Sequence, residues 1–142
     1  MPDLYIKNQR SDISFAIAHK APYIFVSASR EKKMGVDIEK LSDRIAKLRT
    51  KFISDTENSL VHSSISNESD LLYRYTQVWS AKEAFVKCMN YSMWEALAGV
   101  VLHSITNDRV YLMYKDDPEE VVYTVKTYLF DNHIFAYMSL TQ

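Results

Sequence analysis

Asp37 and Glu39 are separated by one apolar residue in the stretch Met34-Gly-Val-Asp-Ile-Glu39. In a strand, the two-residue period puts both carboxylates on one face and Ile38 on the other. Burying such a pair uncompensated is costly. Either they face water, with Lys40 nearby as a partner, or something positive sits between them. A hard divalent cation such as Mg²⁺ suits oxygen ligands of this kind and usually binds one or two carboxylates together with phosphate oxygens. A second group of charges lies in Val78-Trp-Ser-Ala-Lys-Glu-Ala-Phe-Val-Lys87. Glu83 and Lys87 are four apart, so an ordinary exposed helical pair worth about 0.2–0.5 kcal/mol accounts for Lys87. It does not account for Lys82, whose stem must snorkel outward or whose ammonium must meet a buried anion. If Glu83 approaches Asp37 and Glu39, three carboxylates converge with Lys82 and Lys87 beside them. A metal bridging phosphate oxygens, with ammonium groups offsetting charge on a leaving phosphate, is what phosphoanhydride cleavage needs.

The elements that must hold these groups are legible in the pattern. Apolar residues recur at Leu71, Leu72, Tyr75, Val78, Trp79, Phe85, Val86 and Met89, the spacing of one helical face. At roughly 100° per residue, Lys82 falls near the middle of that face and Glu83 on its border. The spacing predicts a helix ending near Met89, preceded by a Ser- and Asn-rich loop over His62–Asp70. Phe15–His19 and Tyr23–Ser29 flank Lys20-Ala21-Pro22 and predict a hairpin. Met34–Glu39 predicts a strand after a charged loop at Arg30–Lys33. Ser54-Asp-Thr-Glu57 matches a capping box that opens a short helix. Strands follow at Val100–Ile105, Arg109–Lys115, Val121–Phe130 and Ile134–Leu140, with turn signals between them. Strands, then helices, then strands predicts an α+β fold, an antiparallel sheet with a long helix packed on it.

The remaining composition narrows the classes. With 142 residues the chain is read as one domain. A net charge of -1 offers no electrostatic case for nucleic acid or an anionic membrane as partner. One cysteine, Cys88, excludes an internal disulfide and a multi-cysteine metal site. The first residues lack the apolar run of a signal peptide and no stretch approaches a membrane span, so a reducing, cytoplasmic setting is expected. There is no P-loop and no GxGxxG, which removes the common nucleotide-binding routes.

GVDIE followed by WSAKEAFVK resembles the paired signature of the 4′-phosphopantetheinyl transferases: Gly-Val/Ile-Asp, often continuing Ile-Glu, then Trp/Phe-Ser/Cys/Ala-x-Lys-Glu-x-x-x-Lys. Phe15–His19 is similar to the strand carrying that family's Ser-His-Ser motif. Lys51-Phe-Ile-Ser-Asp-Thr-Glu57 resembles its Arg-Phe-Phe-Ser-x-x-Glu stretch, and Val125–Tyr128 with Asp131–Leu140 its closing strands. The order of motifs resembles the surfactin-synthetase-activating type. Residues 14–33 resemble the end of that type's first half and residues 34–142 its second half.

The resemblance implies transfer of 4′-phosphopantetheine from coenzyme A to a serine of an acyl or peptidyl carrier protein, releasing 3′,5′-adenosine diphosphate, in fatty acid or polyketide biosynthesis. It implies Asp37, Glu39 and Glu83 as Mg²⁺ ligands, and Lys87 at the phosphates and as a candidate for assisting serine deprotonation. His19 would touch a coenzyme A phosphate, with Lys82 close to the same site. Trp79 and Phe85 are expected to pack the helix. A homo-oligomer is expected where a partner copy completes or covers the site. The alternative is a non-catalytic homologue that binds carrier protein or coenzyme A, or completes another subunit.

Two departures from the family pattern are local. Lys87 is followed by Cys-Met-Asn-Tyr-Ser-Met instead of a Gly-x-Gly turn, leaving Asn90 as the residue suited to a left-handed conformation. Ser-His-Ser reads Ala18-His19-Lys20, which removes a hydroxyl and adds a cation able to contact phosphate. Elsewhere, His62, His103 and His133 lack metal-ligand spacing, Cys88 reads as a packing thiol, and the strand tyrosines pack a sheet or form a partner surface. Lys47, Arg49 and Lys51 read as a solvated helix face, or as a docking patch for an acidic carrier protein.

Overall fold

The computed structural model describes residues 5–6 and 9–141. A two-stranded ribbon, β1 (Tyr5–Ile6) and β2 (Gln9–Arg10), precedes the hairpin β3 (Ser14–Lys20) and β4 (Tyr23–Ser29). Then come β5 (Lys32–Lys40), α1 (Asp43–Leu48), α2 (Asp55–Ser63), α3 (Leu71–Met89) and α4 (Met93–Leu97). Strands β6 (Val100–Ile105), β7 (Arg109–Tyr114), β8 (Tyr123–Phe130) and β9 (His133–Thr141) close the chain. The main sheet is antiparallel with order β5-β9-β8-β7-β6. The α+β class and the helix-on-sheet arrangement are as the pattern predicts.

Several boundaries differ from expectation for local reasons. Strand β5 begins at Lys32, within the expected Arg30–Lys33 loop, because Lys32 and Lys33 pair with Thr141 and Leu140. Strand β8 begins at Tyr123 instead of Val121. The short helices α1 and α4 have too few turns to show a periodicity; only the reading of Lys47, Arg49 and Lys51 as a helix face pointed to α1, and nothing pointed to α4. The capping box at Ser54 is complete: Ser54 Oγ accepts from Glu57 N at 3.2 Å and Glu57 Oε1 from Ser54 N at 3.0 Å.

Helix α3 lies across the inner face of the sheet, packed by Val78, Ala81, Ala84, Phe85 and Val86 against Val110, Leu112, Val125, Ala136 and Met138. It is buried on more than its apolar stripe, since Arg74, Thr76, Gln77 and Ser80 are buried too. Arg74 and Gln77 tie it to the β6–β7 turn through Thr106 O and to Asn107. Gly35 sets how near α3 comes to β5. A Cβ there would meet Ala84 O at 1.9 Å and Cys88 N at 2.6 Å, both backbone atoms.

A smaller core on the other face of β5 holds Ala16, Ala18, Met34, Val36 and Ile38, so the β3–β4 hairpin covers that edge of the sheet. Along β3, Ala16 and Ala18 are buried and Ile17 and His19 exposed, the alternation of a half-buried strand. Asp131 and Asn132, at φ 47° and 59°, form the two-residue left-handed turn that joins β8 to β9.

Candidate active site

Asp37 is on the face of β5 that meets α3, and its neighbour Val36 points into the smaller core. Across from it, one turn of α3 presents Ser80 and Glu83, with Lys87 one turn further. Ser80 Oγ donates to Asp37 Oδ2 at 2.9 Å, and Lys87 Nζ donates to Asp37 Oδ1 at 2.9 Å and to Val36 O at 3.2 Å. Glu39, two residues along β5, accepts the indole N–H of Trp79 at 3.1 Å and faces Lys20 Nζ at 3.6 Å. Asp37, Glu39 and Glu83 each offer an oxygen such that all three lie within 4.8 Å of one another, with Asp37 buried and the other two half-buried.

Crowding three carboxylates in a shielded corner raises the cost of ionising them. Burial pushes Glu83 up to about 8, with the charges on Asp37 and Glu39 adding to it and Lys87 opposing. Burial likewise pushes Asp37 up to about 6, opposed by Lys87. A cluster that holds protons when alone is one that a divalent cation would relieve. An octahedral Mg²⁺ at about 2.0–2.1 Å from its ligands places neighbouring oxygens about 2.9 Å apart and opposite ones about 4.1 Å apart. The observed grouping therefore has hard-oxygen donors and nearly the right span, and the residues fit the ion. Beside the cluster, a cleft of about 310 Å³ opens between β3, β5 and the end of α3, walled by Phe15, Ile17, Met34, Val86, Lys87 and Tyr91.

A model of the 4'-phosphopantetheinyl transferase superfamily matches residues 33–138, from the first residues of β5 to near the end of β9. The chain belongs to the 4'-phosphopantetheinyl transferase superfamily. It is 24% identical over 129 residues to the 4'-phosphopantetheinyl transferase gsp of Aneurinibacillus migulanus, covering 91% of this chain and 52% of that protein. The chain thus spans about half the length of this curated relative. The holo-ACP-synthase of Plasmodium yoelii resembles it in fold, with a TM-score of 0.53 at 14% identity, over 75% of this chain and 91% of that one. Among the described residues, no helix is long and apolar enough to cross a membrane.

For this superfamily member, the expected site residues divide in two. Asp37, Glu39, Glu83 and Lys87 come together, and Lys20 joins them through Glu39. Lys82 does not. Its side chain is 1% exposed, and its ammonium donates to Glu57 Oε2 and to Phe52 O, each at 2.6 Å. Lys82 meets an internal carboxylate, the buried anion that its place in the apolar stripe called for, because successive helix residues are about 100° apart and Lys82 faces α2 where Glu83 faces β5. His19 is exposed on the outer face of β3, the side opposite Lys20.

Three contributors were not foreseen in these roles. Trp79 packs on Phe52 at 4.9 Å between ring centres, as expected of a packing residue, yet also orients Glu39. Ser80 holds Asp37, and its place after Trp79 in the Trp-Ser-x-Lys-Glu signature was the signal that could have found it. Glu57 was read only as half of a capping box, while it also accepts from Leu102 N at 2.7 Å and from Lys82. The Lys51–Glu57 motif was the signal that could have found it. After Lys87, the helix ends without glycine: Asn90 takes φ 56° and ψ 38°, and bonds from Asn90 N to Lys87 O and Tyr91 N to Val86 O close the turn.

Proposed function

We propose that this chain transfers 4′-phosphopantetheine from coenzyme A to a serine hydroxyl of an acyl or peptidyl carrier protein, acting as a single domain in which residues 14–33 and 34–142 cooperate. The observation that carries the reading is the convergence of Asp37, Glu39 and Glu83, with Lys87 and Lys20 at its rim, in a superfamily member. In the transfer, the serine oxygen bonds to the phosphorus that carries pantetheine. The bond from that phosphorus to the bridging oxygen breaks, and 3′,5′-adenosine diphosphate leaves with the electron pair. Held by the three carboxylates, Mg²⁺ would supply charge neutralisation at the pyrophosphate oxygens.

The chain's own residues do the rest. Ser80 and Lys87 fix both oxygens of Asp37, and Trp79 fixes Glu39, so the ligands are oriented before substrate arrives. Lys87 spends two of its three N–H donors on Asp37 and Val36, which leaves one for a phosphate oxygen. Its ammonium also favours the serine alkoxide as the serine proton passes to solvent water. The adjoining cleft gives the pantetheine arm or the carrier segment room beside Lys87. A second copy covering the exposed Ile17, Ile24 and Val26 of the hairpin belongs to the same proposal.

The test is incubation of the protein with coenzyme A, Mg²⁺ and several apo carrier proteins, read by intact mass. Addition of the prosthetic group by the wild type and not by Asp37→Ala is the expected result; no modification of any carrier rejects the catalytic reading. The second reading, a non-catalytic module that binds carrier protein or coenzyme A, is favoured by the turn after Lys87, which is built on Asn90 in place of the family's glycines. It predicts carrier binding without transfer, undiminished in Glu83→Ala.

A further inference from the structure

We propose that Lys20 is a counter-cation built into the carboxylate site: it sits on Glu39 until a divalent ion takes that carboxylate, and then turns to bind substrate phosphate. This rests on the reading of Asp37, Glu39 and Glu83 as metal ligands.

The two lysines at the cluster are held very differently. Lys87 is anchored by two hydrogen bonds, at 2.9 and 3.2 Å, and lies beside the most buried of the three carboxylates. Lys20 reaches Glu39 at 3.6 Å, beyond a good hydrogen bond; its side chain, 40% exposed, is little more open than that of Lys87 at 35%, so the weaker hold on its partner is what sets it apart. It therefore stands at the mouth of the cluster and is the cation free to leave, since a loose, part-exposed pair contributes little.

Its position follows from the strand that carries it. Lys20 ends β3 on the same face as Ala16 and Ala18, small residues that let β3 lie close over Met34, Val36 and Ile38 of β5. At the very end of β3 its long side chain reaches past the smaller core to Glu39, near the end of β5. His19 points to the other side and cannot substitute.

Charge bookkeeping shows what the arrangement does. With all three carboxylates ionised, as holding a cation requires, they and the two lysines sum to one net negative charge before the ion is counted. A divalent ion turns that into one net positive charge, suited to a pyrophosphate. Once the ion occupies Glu39, the pairing that held Lys20 is lost and its ammonium becomes available at the mouth. Metal and anion binding are then positively coupled through Lys20, and the coupling must be reciprocal.

The experiment measures Mn²⁺ affinity by electron paramagnetic resonance and coenzyme A affinity by calorimetry, each with and without the other, in wild type, Lys20→Met and Lys20→Arg. Lys20→Met keeps the stem and removes the charge, and thermal unfolding checks that it folds. Expected for Lys20→Met are Mn²⁺ binding tighter by about two- to fivefold, the range a part-exposed pair spans, weaker coenzyme A binding in the presence of Mn²⁺, and a smaller gain from either ligand on the other. Lys20→Arg should keep the wild-type coupling. Wild type that binds both ligands while Lys20→Met matches it, or binds both more weakly without loss of coupling, overturns the role of Lys20 alone. Wild type with no saturable Mn²⁺ binding overturns the metal reading and this inference with it.

Discussion

Lys82 Nζ lies 2.6 Å from Glu57 Oε2, and the two side chains are 1% and 7% exposed. This pair ties α2 to α3 one residue from Glu83. Glu57 also holds Leu102 N, so a single carboxylate joins α2, α3 and β6. Burial holds the Lys82 ammonium below its ordinary pKa, and Glu57 opposes that shift. Removing Glu57 alone leaves a buried ammonium without its counter-charge. Glu57→Ala is expected to cost about 3–5 kcal/mol in chemical denaturation. The double variant Glu57→Leu with Lys82→Met should recover most of that loss. Equal stability of the single and double variants would show that the pair is not what is being lost.

Metal-free stability should fall as pH rises. Folding raises Glu83 from 4.5 to about 8 and Asp37 from 3.8 to about 6. The folded chain therefore holds protons that the unfolded chain has released. Their stabilising effect is complete below the ordinary carboxylate pKa and is lost as pH climbs through about 6 and then about 8. Thermal unfolding at a series of pH values should show a declining Tm over this window in chelator. Mg²⁺ should flatten the decline by stabilising the ionised cluster, and a decline that Mg²⁺ leaves untouched counts against metal binding there.

Gly35→Ala places a Cβ against Ala84 O and Cys88 N, neither of which is the end of a flexible side chain. The α3–β5 contact must open, at a cost of about 3 kcal/mol or more. Because Asp37 and Glu83 face each other across that contact, Mn²⁺ affinity should fall together with Tm. A variant as stable as wild type would mean the helix slides without penalty.

Trp79→Phe keeps an aromatic ring on Phe52 but removes the N–H that holds Glu39. Stability should change by about 1 kcal/mol or less, while metal affinity drops by about tenfold, the scale of losing a group that orients a ligand. Calorimetric titration with Mg²⁺ beside a denaturation curve separates the two effects. Loss of stability without loss of affinity would make Trp79 a packing residue only.

Self-association through the hairpin is tested by Ile24→Lys with Val26→Glu, at two outward positions that are 73% and 56% exposed. Analytical ultracentrifugation should show an oligomer for wild type and a monomer for the variant. A monomeric wild type removes the second copy from the proposal.

Much of the fold was legible because its determinants are local. Alternation over Ser14–Lys20 and Tyr23–Ser29, the Ser54–Glu57 cap and the long apolar period of α3 are written in neighbouring residues. Asn90, the residue singled out for a left-handed turn, adopts it. The same-face relation of Asp37 and Glu39 is likewise a property of strand period. What the sequence by itself determined, then, was which residues share an element and a face.

Which elements face each other was decided by tertiary packing. Lys82 and Glu83 are neighbours in the chain, yet one turns to Glu57 and the other toward Asp37, because α3 is packed on several sides and neighbouring positions meet different elements. Lys20 and His19 divide in the same way between the two faces of β3. Trp79 and Ser80 reach the carboxylates only because Gly35 admits the helix backbone so closely to β5. Such contacts join residues far apart in sequence, and no local period records them.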